Sequence, residues 1–199
     1  MPDLEGFILT GGASSRMGED KSRLVLRGKT FVERAAEALR VVASRVSVVS
    51  AREGDAAFGL PLVRDLFVGA GALGGLHAAL AGCRAPWAAV VSCDLPFVMG
   101  ELFARLASFR GPAFDAVAPR QRDGRAQPLC ALYARDVCLR AAERLLSAGE
   151  LRPRVLLAEV RTRWVTPAEL ADLHGSERFF TNVNTPADYA LAVETERAG

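Results

Sequence analysis

The sequence of 199 residues predicts an α/β fold of three layers, in which helices cover both faces of a mostly parallel, Rossmann-like sheet. Short apolar runs alternate along the chain with longer segments of helical periodicity, as in successive βαβ units. The run from Trp87 to Ser92 is almost continuously apolar, which is typical of a strand buried on both faces. Residues 1–199 are expected to form a single domain, because this length suits one hydrophobic core.

In the N-terminal half, short apolar runs predict strands and longer amphipathic stretches predict helices. The first strand is expected at residues 7–9, and a loop rich in glycine and serine follows it over residues 10–18. A helix is expected over residues 30–43, because Thr30 and Glu33 form a capping-box pattern at its start. Apolar runs predict further strands at residues 46–50, 61–63 and 87–92, and a helix over residues 74–83.

The C-terminal half continues the alternation. A helix over residues 99–109 precedes strands at 116–119 and 129–133, and a polar turn at 121–125 separates these two strands. Residues 135–148 and 154–159 predict two helices, and residues 163–165 predict the last strand. Thr185 followed by Pro186 predicts the start of a final helix over residues 186–194. Because ligands of such sheets bind at the carboxyl ends of the strands, residues 10–21, 64–75 and 92–97 are the candidate site.

Composition excludes several classes of function. The formal net charge of +2 is too small to indicate a nucleic-acid-binding protein. We expect no membrane association and a cytoplasmic location, because no apolar stretch approaches the roughly 20 residues of a membrane helix and the N-terminus does not resemble a signal peptide. The cysteines form no C-x-x-C pair and have no histidine at metal spacing, so we expect all four to be reduced and buried, namely Cys83, Cys93, Cys130 and Cys138.

The loop after the first strand, from Thr10 to Lys21, gives the strongest functional signal. Gly11 and Gly12 lack Cβ atoms, so the backbone can approach a ligand closely and its N–H groups can cradle phosphate oxygens. Arg16 and Lys21 would add positive charge. Lys21 is one of only two lysines among 25 basic residues. The loop is not a P-loop, because its glycines and lysine lack the G-x-x-x-x-G-K-[ST] spacing. The alternative is a surface loop with turn glycines and solvated charges.

Two aspartates follow predicted strands. Asp94 comes directly after the buried strand, and Pro96 ends any continuation of that strand. A carboxylate at this place would hold Mg²⁺ together with nucleotide phosphates, although an aspartate that caps a turn is the alternative. Asp65 follows the short strand at residues 61–63 in the same way, and an ordinary turn aspartate is again the alternative.

The segment from Leu9 to Lys21 resembles the L-x-G-G-x-S-x-R-M-G-x-D-K signature of molybdenum cofactor guanylyltransferases, with Thr10 where the family usually has alanine. Residues 93–97 are similar to the family's C-D-x-P-[FY] segment. The resemblance implies a nucleotidyltransferase fold and a set of roles. In it, Asp94 is the Mg²⁺ ligand, Arg16 and Lys21 contact the phosphates, and the nucleotide is also bound by Leu9, Thr10, Gly11, Gly12 and Asp65.

The C-terminal segment F-T-N-V-N-T-P-A-D resembles the family's F-x-N-x-N-T-P-x-[DE] ending. Asn182 and Asn184 alternate along an extended segment, so both amides can face one side. The resemblance implies that they bind the pterin-bearing acceptor, whereas capping and turn chemistry is the alternative. The implied reaction transfers GMP from GTP to molybdopterin or its molybdenum form and releases pyrophosphate. Cofactor-inserting proteins and chaperones of apo-molybdoenzymes are implied as further partners.

Three other functions stay open at this point. Residues 69–74 match G-x-G-x-x-G, but they do not directly follow a strand, so a nicotinamide dehydrogenase is disfavoured. The same segment resembles the family's G-P-L-x-G loop with Ala72 in place of proline. A transferase that uses CTP or a sugar phosphate is disfavoured by the Gly11-Gly12 pair. A non-catalytic nucleotide sensor is disfavoured by the presence of Arg16, Lys21 and Asp94.

Overall fold

The computed structural model describes residues 3–10, 21–51, 58–65, 67 and 69–198. The strands in these ranges are β1 (Leu4–Leu9), β2 (Val25–Leu26), β3 (Lys29–Thr30), β4 (Val46–Ser50), β5 (Leu62–Arg64), β6 (Trp87–Ser92), β7 (Ala116–Pro119), β8 (Cys130–Ala134) and β9 (Thr162–Val165). The helices are α1 (Phe31–Arg40), α2 (Gly71–Gly82), α3 (Gly100–Ser108), α4 (Arg135–Ser147), α5 (Pro153–Glu159) and α6 (Pro186–Ala198). Short 3₁₀ turns lie at Lys21–Arg23 and Pro167–Leu170.

The described strands form one seven-stranded sheet in the order β5-β4-β1-β6-β8-β7-β9 and a separate hairpin of β2 and β3. Within this sheet β8 is antiparallel to both of its neighbours, and the other pairings are parallel. The predicted fold class is therefore confirmed. The hairpin was not predicted from the sequence.

Alternate residues of the strands face the two helical layers. Ile8 of β1 packs into a buried cluster with residues of α1 and α3, whereas Phe7 and Leu9 pack into a cluster with α2, α4 and α5. Val90 and Val91 of β6 divide between the two clusters in the same way. This period of two explains why the central strands are apolar at almost every position.

A third, smaller cluster lies outside the two main layers. It joins the hairpin, the start of α1, the loop after β6 and the C-terminal segment through the buried residues Leu24, Leu26, Phe31, Phe97, Val183 and Ala192. Segments that are far apart in sequence are thereby packed together beside the ends of the central strands.

Several predicted boundaries differ from the structure. Helix α1 ends at Arg40, because the chain then turns into β4 and the Ser44 N–H donates to the Leu4 carbonyl at 3.1 Å. Helix α2 begins at Gly71, where the Gly74 N–H already donates to the Ala70 carbonyl, and α6 continues to Ala198. The capping box of Thr30 and Glu33 is confirmed, and the four cysteines are buried and form no disulfide, as expected. No helix within the described ranges is both long and apolar enough to span a membrane.

Candidate active site

The order of the strands predicts a ligand-binding crevice at the carboxyl ends of β1 and β6. From β1 the chain proceeds to β4 and β5 on one side, and it then returns to form β6 on the other side. Leu9, the last residue of β1, is in register with Val49 and with Ser92. Loops that leave neighbouring strands in opposite directions open the crevice in which α/β sheets of this kind bind their ligands.

Leu9 and Thr10 lie at the base of this crevice. Both residues are buried, and the Thr10 N–H and hydroxyl groups each donate to the Val49 carbonyl at 3.1 Å. A hydroxyl at this position is therefore accommodated by a hydrogen bond to the neighbouring strand. The predicted phosphate-binding residues Gly11, Gly12 and Arg16 lie outside the described residues.

Lys21 and the two asparagines come from opposite ends of the chain. The Lys21 Nζ donates to the Asn184 Oδ1 at 2.7 Å, across 163 residues of sequence. Asn182 and Asn184 are exposed on either side of the buried Val183, as expected for an extended segment with both amides on one face. The structure thus brings Lys21 and Asn184 into direct contact.

Asp94 lies at the end of β6 and joins the same group. The Cys93 N–H donates to the Leu9 carbonyl at 3.1 Å, and the Val183 N–H donates to the Asp94 carbonyl at 2.9 Å. The first bond fixes the start of the loop against β1, and the second fixes it against the asparagine segment. The backbone at Cys93 and Asp94 is therefore linked to the end of β1 and to Val183, the residue before Asn184.

The Asp94 side chain is half-buried, and no described residue donates a hydrogen bond to its carboxylate. Both oxygens are therefore available to a cation, which suits a divalent metal that takes its other ligands from phosphate and water. In the described part of the chain, no three His, Cys, Asp or Glu side chains form a metal-binding cluster. Asp94 could therefore hold Mg²⁺ as a single carboxylate ligand.

Asp65 follows the end of β5, at the same edge of the sheet. Its N–H donates to the Ser50 carbonyl at 3.1 Å, and its Oδ1 accepts the Phe67 N–H at 3.0 Å. Its Oδ2 and the Leu9 side chain both approach the open side of Gly75, where an added Cβ would lie 3.9 Å and 3.7 Å from them. Burial raises the pKa of the Asp65 carboxyl, and the Phe67 N–H and the nearby His77 partly offset this rise.

A capping box fixes the backbone of the asparagine segment. The Asp188 Oδ2 accepts the N–H groups of Asn184 and Thr185 at 2.8 and 2.9 Å, and the Asp188 N–H donates to the Thr185 hydroxyl at 3.1 Å. These bonds hold the pKa of the Asp188 carboxyl below its ordinary value. The sequence indicated Thr185 and Pro186 as a helix start, but it gave no role to Asp188.

Two clefts adjoin this edge of the sheet, and the sequence analysis missed both. One has a volume of about 650 Å³ and lies between the turn after β7 and the segment before Asn182, with Arg120, Arg122, Phe180 and Thr181 in its walls. The other, of about 720 Å³, lies between the same turn and the start of α5. Arginines in their walls gave no sequence signal, because arginine is the usual cation of this chain.

The glycine run at residues 69–74 does not form a dinucleotide-binding turn. Strand β5 ends at Arg64, five residues before Gly69, and Gly71 already begins α2. The fingerprint requires a tight turn directly after a strand, so this match is a coincidence of sequence.

Comparisons with known proteins agree with this fold and show the family. The sequence model of the MobA-like NTP transferase domain matches residues 6–163. A protein of Pelotomaculum thermopropionicum named as a probable molybdenum cofactor guanylyltransferase is 36% identical over 198 residues, which cover 98% of this chain and 95% of the relative. A Geobacillus protein of the same name is 32% identical over 195 residues, covering 95% and 97%.

The likeness extends to a solved structure. The crystal structure of molybdopterin-guanine dinucleotide biosynthesis protein A from Archaeoglobus fulgidus matches with a TM-score of 0.83 at 26% identity. The match covers 98% of this chain and 100% of that chain.

Proposed function

This chain belongs to the MobA-like NTP transferase family and is a nucleotidyltransferase, and from that membership we propose that it transfers GMP from GTP to molybdopterin or its molybdenum form. The names of its relatives, molybdenum cofactor guanylyltransferases, support the donor and the acceptor. The positions of Lys21, Asp94 and Asn184 at one edge of the sheet support a site for both.

The proposed reaction is a displacement at the α-phosphorus of GTP. An oxygen of the acceptor's terminal phosphate forms a bond to this phosphorus, and the bond to the oxygen that bridges the α- and β-phosphates breaks. Pyrophosphate leaves with the electron pair of that bond. The attacking oxygen is already anionic, so the protein has no proton to remove, and its task is to position the reactants and to neutralise charge.

The residues of the site divide this task between them. Asp94 would hold Mg²⁺, which supplies positive charge to the triphosphate when it is bound. Lys21 presents a rotatable ammonium group to the same triphosphate, and Arg16 of the glycine-rich loop is proposed to assist it. Leu9, Thr10 and Asp65, with Gly11 and Gly12 of that loop, are proposed to contact the nucleotide, and Asn182 and Asn184 are proposed to contact the acceptor.

The single observation that carries this proposal is the pair of contacts across the C-terminal segment. Lys21 Nζ donates to Asn184 Oδ1 at 2.7 Å, and the Val183 N–H donates to the Asp94 carbonyl at 2.9 Å. These two hydrogen bonds hold three groups together: the Lys21 ammonium proposed for phosphate, the Asp94 residue proposed for the metal, and the Asn184 amide proposed for the acceptor.

The test measures pyrophosphate release from each of the four nucleoside triphosphates with Mg²⁺, in the presence and absence of molybdopterin. We expect release with GTP that requires the acceptor. Release with CTP in place of GTP would contradict the guanylyl donor, and no release with any nucleotide would contradict the transferase activity.

A further inference from the structure

Arg34, in the first half of α1, contacts three segments that the proposed site requires. Its Nε donates to the Pro96 carbonyl at 2.8 Å, and its Nη1 donates to the Leu26 carbonyl at 3.5 Å. Its Nη2 lies 3.6 Å from the Glu196 Oε1. One guanidinium group therefore connects the loop after β6, the β2–β3 hairpin and α6.

Each of these contacts lies on a segment that begins near a residue of the site. Pro96 lies two residues after Asp94, and Leu26 lies in the hairpin that directly follows the turn of Lys21. Glu196 lies on α6, whose first residue is the second after Asn184. The three segments have no covalent connection nearby, so their relative positions depend on contacts of this kind.

The ion pair with Glu196 is shielded from solvent. The exposed fractions of the Arg34 and Glu196 side chains are 21% and 11%. Glu196 also pairs with Arg27 of the hairpin at 2.9 Å, and the Tyr189 hydroxyl of α6 donates to the Val25 carbonyl at 2.6 Å. Helix α6 and the hairpin are thus joined at several points, and Arg34 extends this connection to the loop that carries Asp94.

We propose that Arg34, anchored by Glu196, is a positioning residue that holds Asp94 in register with Lys21 and Asn184. This inference rests on the proposed function, because the groups it positions are those assigned to GTP and Mg²⁺. Arginine suits the role because its planar guanidinium directs N–H groups to a carboxylate and two carbonyls at once. A lysine would present one compact charge and could satisfy only part of this set.

The test compares Arg34→Met, Arg34→Lys and Glu196→Gln with the control Arg40→Met. Arg40 is an exposed arginine at the last position of the same helix, so its loss changes charge without touching the site. The first measurement is hydrogen exchange of the Val183 amide, which donates to the Asp94 carbonyl, in the ligand-free protein. The second is the Kd of GTP by calorimetry at a series of Mg²⁺ concentrations, with the Tm recorded for every variant.

For Arg34→Met we expect exchange at Val183 to accelerate at least tenfold relative to Arg40→Met and GTP·Mg²⁺ binding to weaken by roughly tenfold to a hundredfold. Arg34→Lys and Glu196→Gln should give smaller changes in Val183 exchange and in GTP·Mg²⁺ binding, in the same direction. These two variants test the inference if Arg34→Met does not fold. A lower Tm with unchanged Val183 exchange and unchanged Kd would overturn the inference, because Arg34 would then contribute only stability. If the wild type itself binds no GTP·Mg²⁺, the proposed function fails, and Val183 exchange alone decides the role of Arg34.

Discussion

At the scale of single residues, the candidate site depends on a few side chains whose charge or hydrogen-bonding groups remain available to a ligand in the described part of the chain. Lys21 contacts a neutral amide oxygen, and the Asp94 carboxylate accepts no hydrogen bond from a described residue. The charge of Lys21 also helps to lower the pKa of the nearby Asp188 carboxyl. The structural ion pairs differ, because there a guanidinium donates directly to a carboxylate, as between Arg161 and Asp115 at 2.7 Å. A lysine and a carboxylate in this state are suited to bind an outside anion and cation.

We predict that Lys21→Ala weakens GTP binding by about tenfold to a hundredfold, because a charge-assisted hydrogen bond to phosphate is lost. The matched control is Lys29→Ala, the other lysine of the chain, which loses only an exposed ion pair with Glu37 at 2.8 Å. Calorimetry with GTP and Mg²⁺ measures both variants. Equal GTP affinities for Lys21→Ala and Lys29→Ala would contradict the assignment of Lys21 to the nucleotide site.

We predict that Asp94→Asn lowers Mg²⁺-dependent turnover by roughly 10²–10³-fold, by analogy with the loss of one transition-state contact. The fold should be retained, because no described residue depends on the carboxylate for a hydrogen bond. Asp136→Asn, an exposed change at the start of α4, serves as the control. Wild-type turnover in Asp94→Asn, with an unchanged Mg²⁺ requirement, would contradict the metal assignment.

The residues at strand ends were predictable from sequence, whereas those that act through tertiary contacts were not. Asp94 and Asp65 follow apolar runs, and that position alone marks a carboxylate at the ligand-binding edge of the sheet. Arg34 gave no signal, since its partners lie 8, 62 and 162 residues away. Only the folded chain brings these partners within reach of one guanidinium.

At the scale of elements, the hairpin of β2 and β3 shows how turn chemistry can be missed. Its two-residue turn has positive φ at both positions, 50° for Arg27 and 76° for Gly28. Hairpins of this type usually have asparagine or aspartate before the glycine, so the arginine at this position did not indicate a turn. Helix α1 was predicted because its capping box is local. Both hydrogen bonds of the box join Thr30 and Glu33, which are three residues apart in sequence.

Helix α2 provides an element-scale prediction about packing. A Cβ added at Gly74 would lie 2.9 Å from the Ala70 Cβ and 3.2 Å from the Phe67 carbonyl oxygen, whereas one at Gly75 would have no contact closer than 3.7 Å. We expect Gly74→Ala to lower the free energy of unfolding by about 1–3 kcal/mol through overpacking. We expect Gly75→Ala to raise it by about 0.5–1 kcal/mol, because alanine favours helix.

Chemical denaturation of the two alanine variants beside the wild type measures this difference. The comparison is matched, because the substitutions are identical and lie at adjacent positions of one helix. Equal stabilities for Gly74→Ala and Gly75→Ala would show that the start of α2 is not constrained by close packing.

At the scale of the whole molecule, the central sheet joins the strands of the candidate site to strands that are held together by an ion pair between Arg161 and Asp115. Asp115, just before β7, accepts two hydrogen bonds from the Arg161 guanidinium at 2.7 and 2.8 Å and one from the Arg161 N–H at 3.1 Å. These bonds connect β7 to the turn before β9. They hold the pKa of the Asp115 carboxyl below its ordinary value.

This pair predicts how stability depends on pH. A carboxyl whose pKa is lowered by folding stabilises the native state above its unfolded pKa of about 3.9, and that contribution is lost as the pH falls through the lower folded value. We therefore expect the difference in the free energy of unfolding between wild type and Asp115→Asn to be constant from pH 7 to about pH 5. The difference should become smaller below about pH 4. Urea denaturation of both proteins across this pH range measures the difference. A difference that does not change at low pH would contradict the role of the Asp115–Arg161 pair.

The most direct test of the whole account is a crystal structure of the protein with the α,β-methylene analogue of GTP and Mn²⁺, whose anomalous signal locates the metal. We expect the anomalous peak within coordination distance of the Asp94 carboxylate, with the Lys21 Nζ on an oxygen of the same triphosphate. A metal or a triphosphate bound away from the ends of β1 and β6, without contact to Asp94 and Lys21, would contradict it.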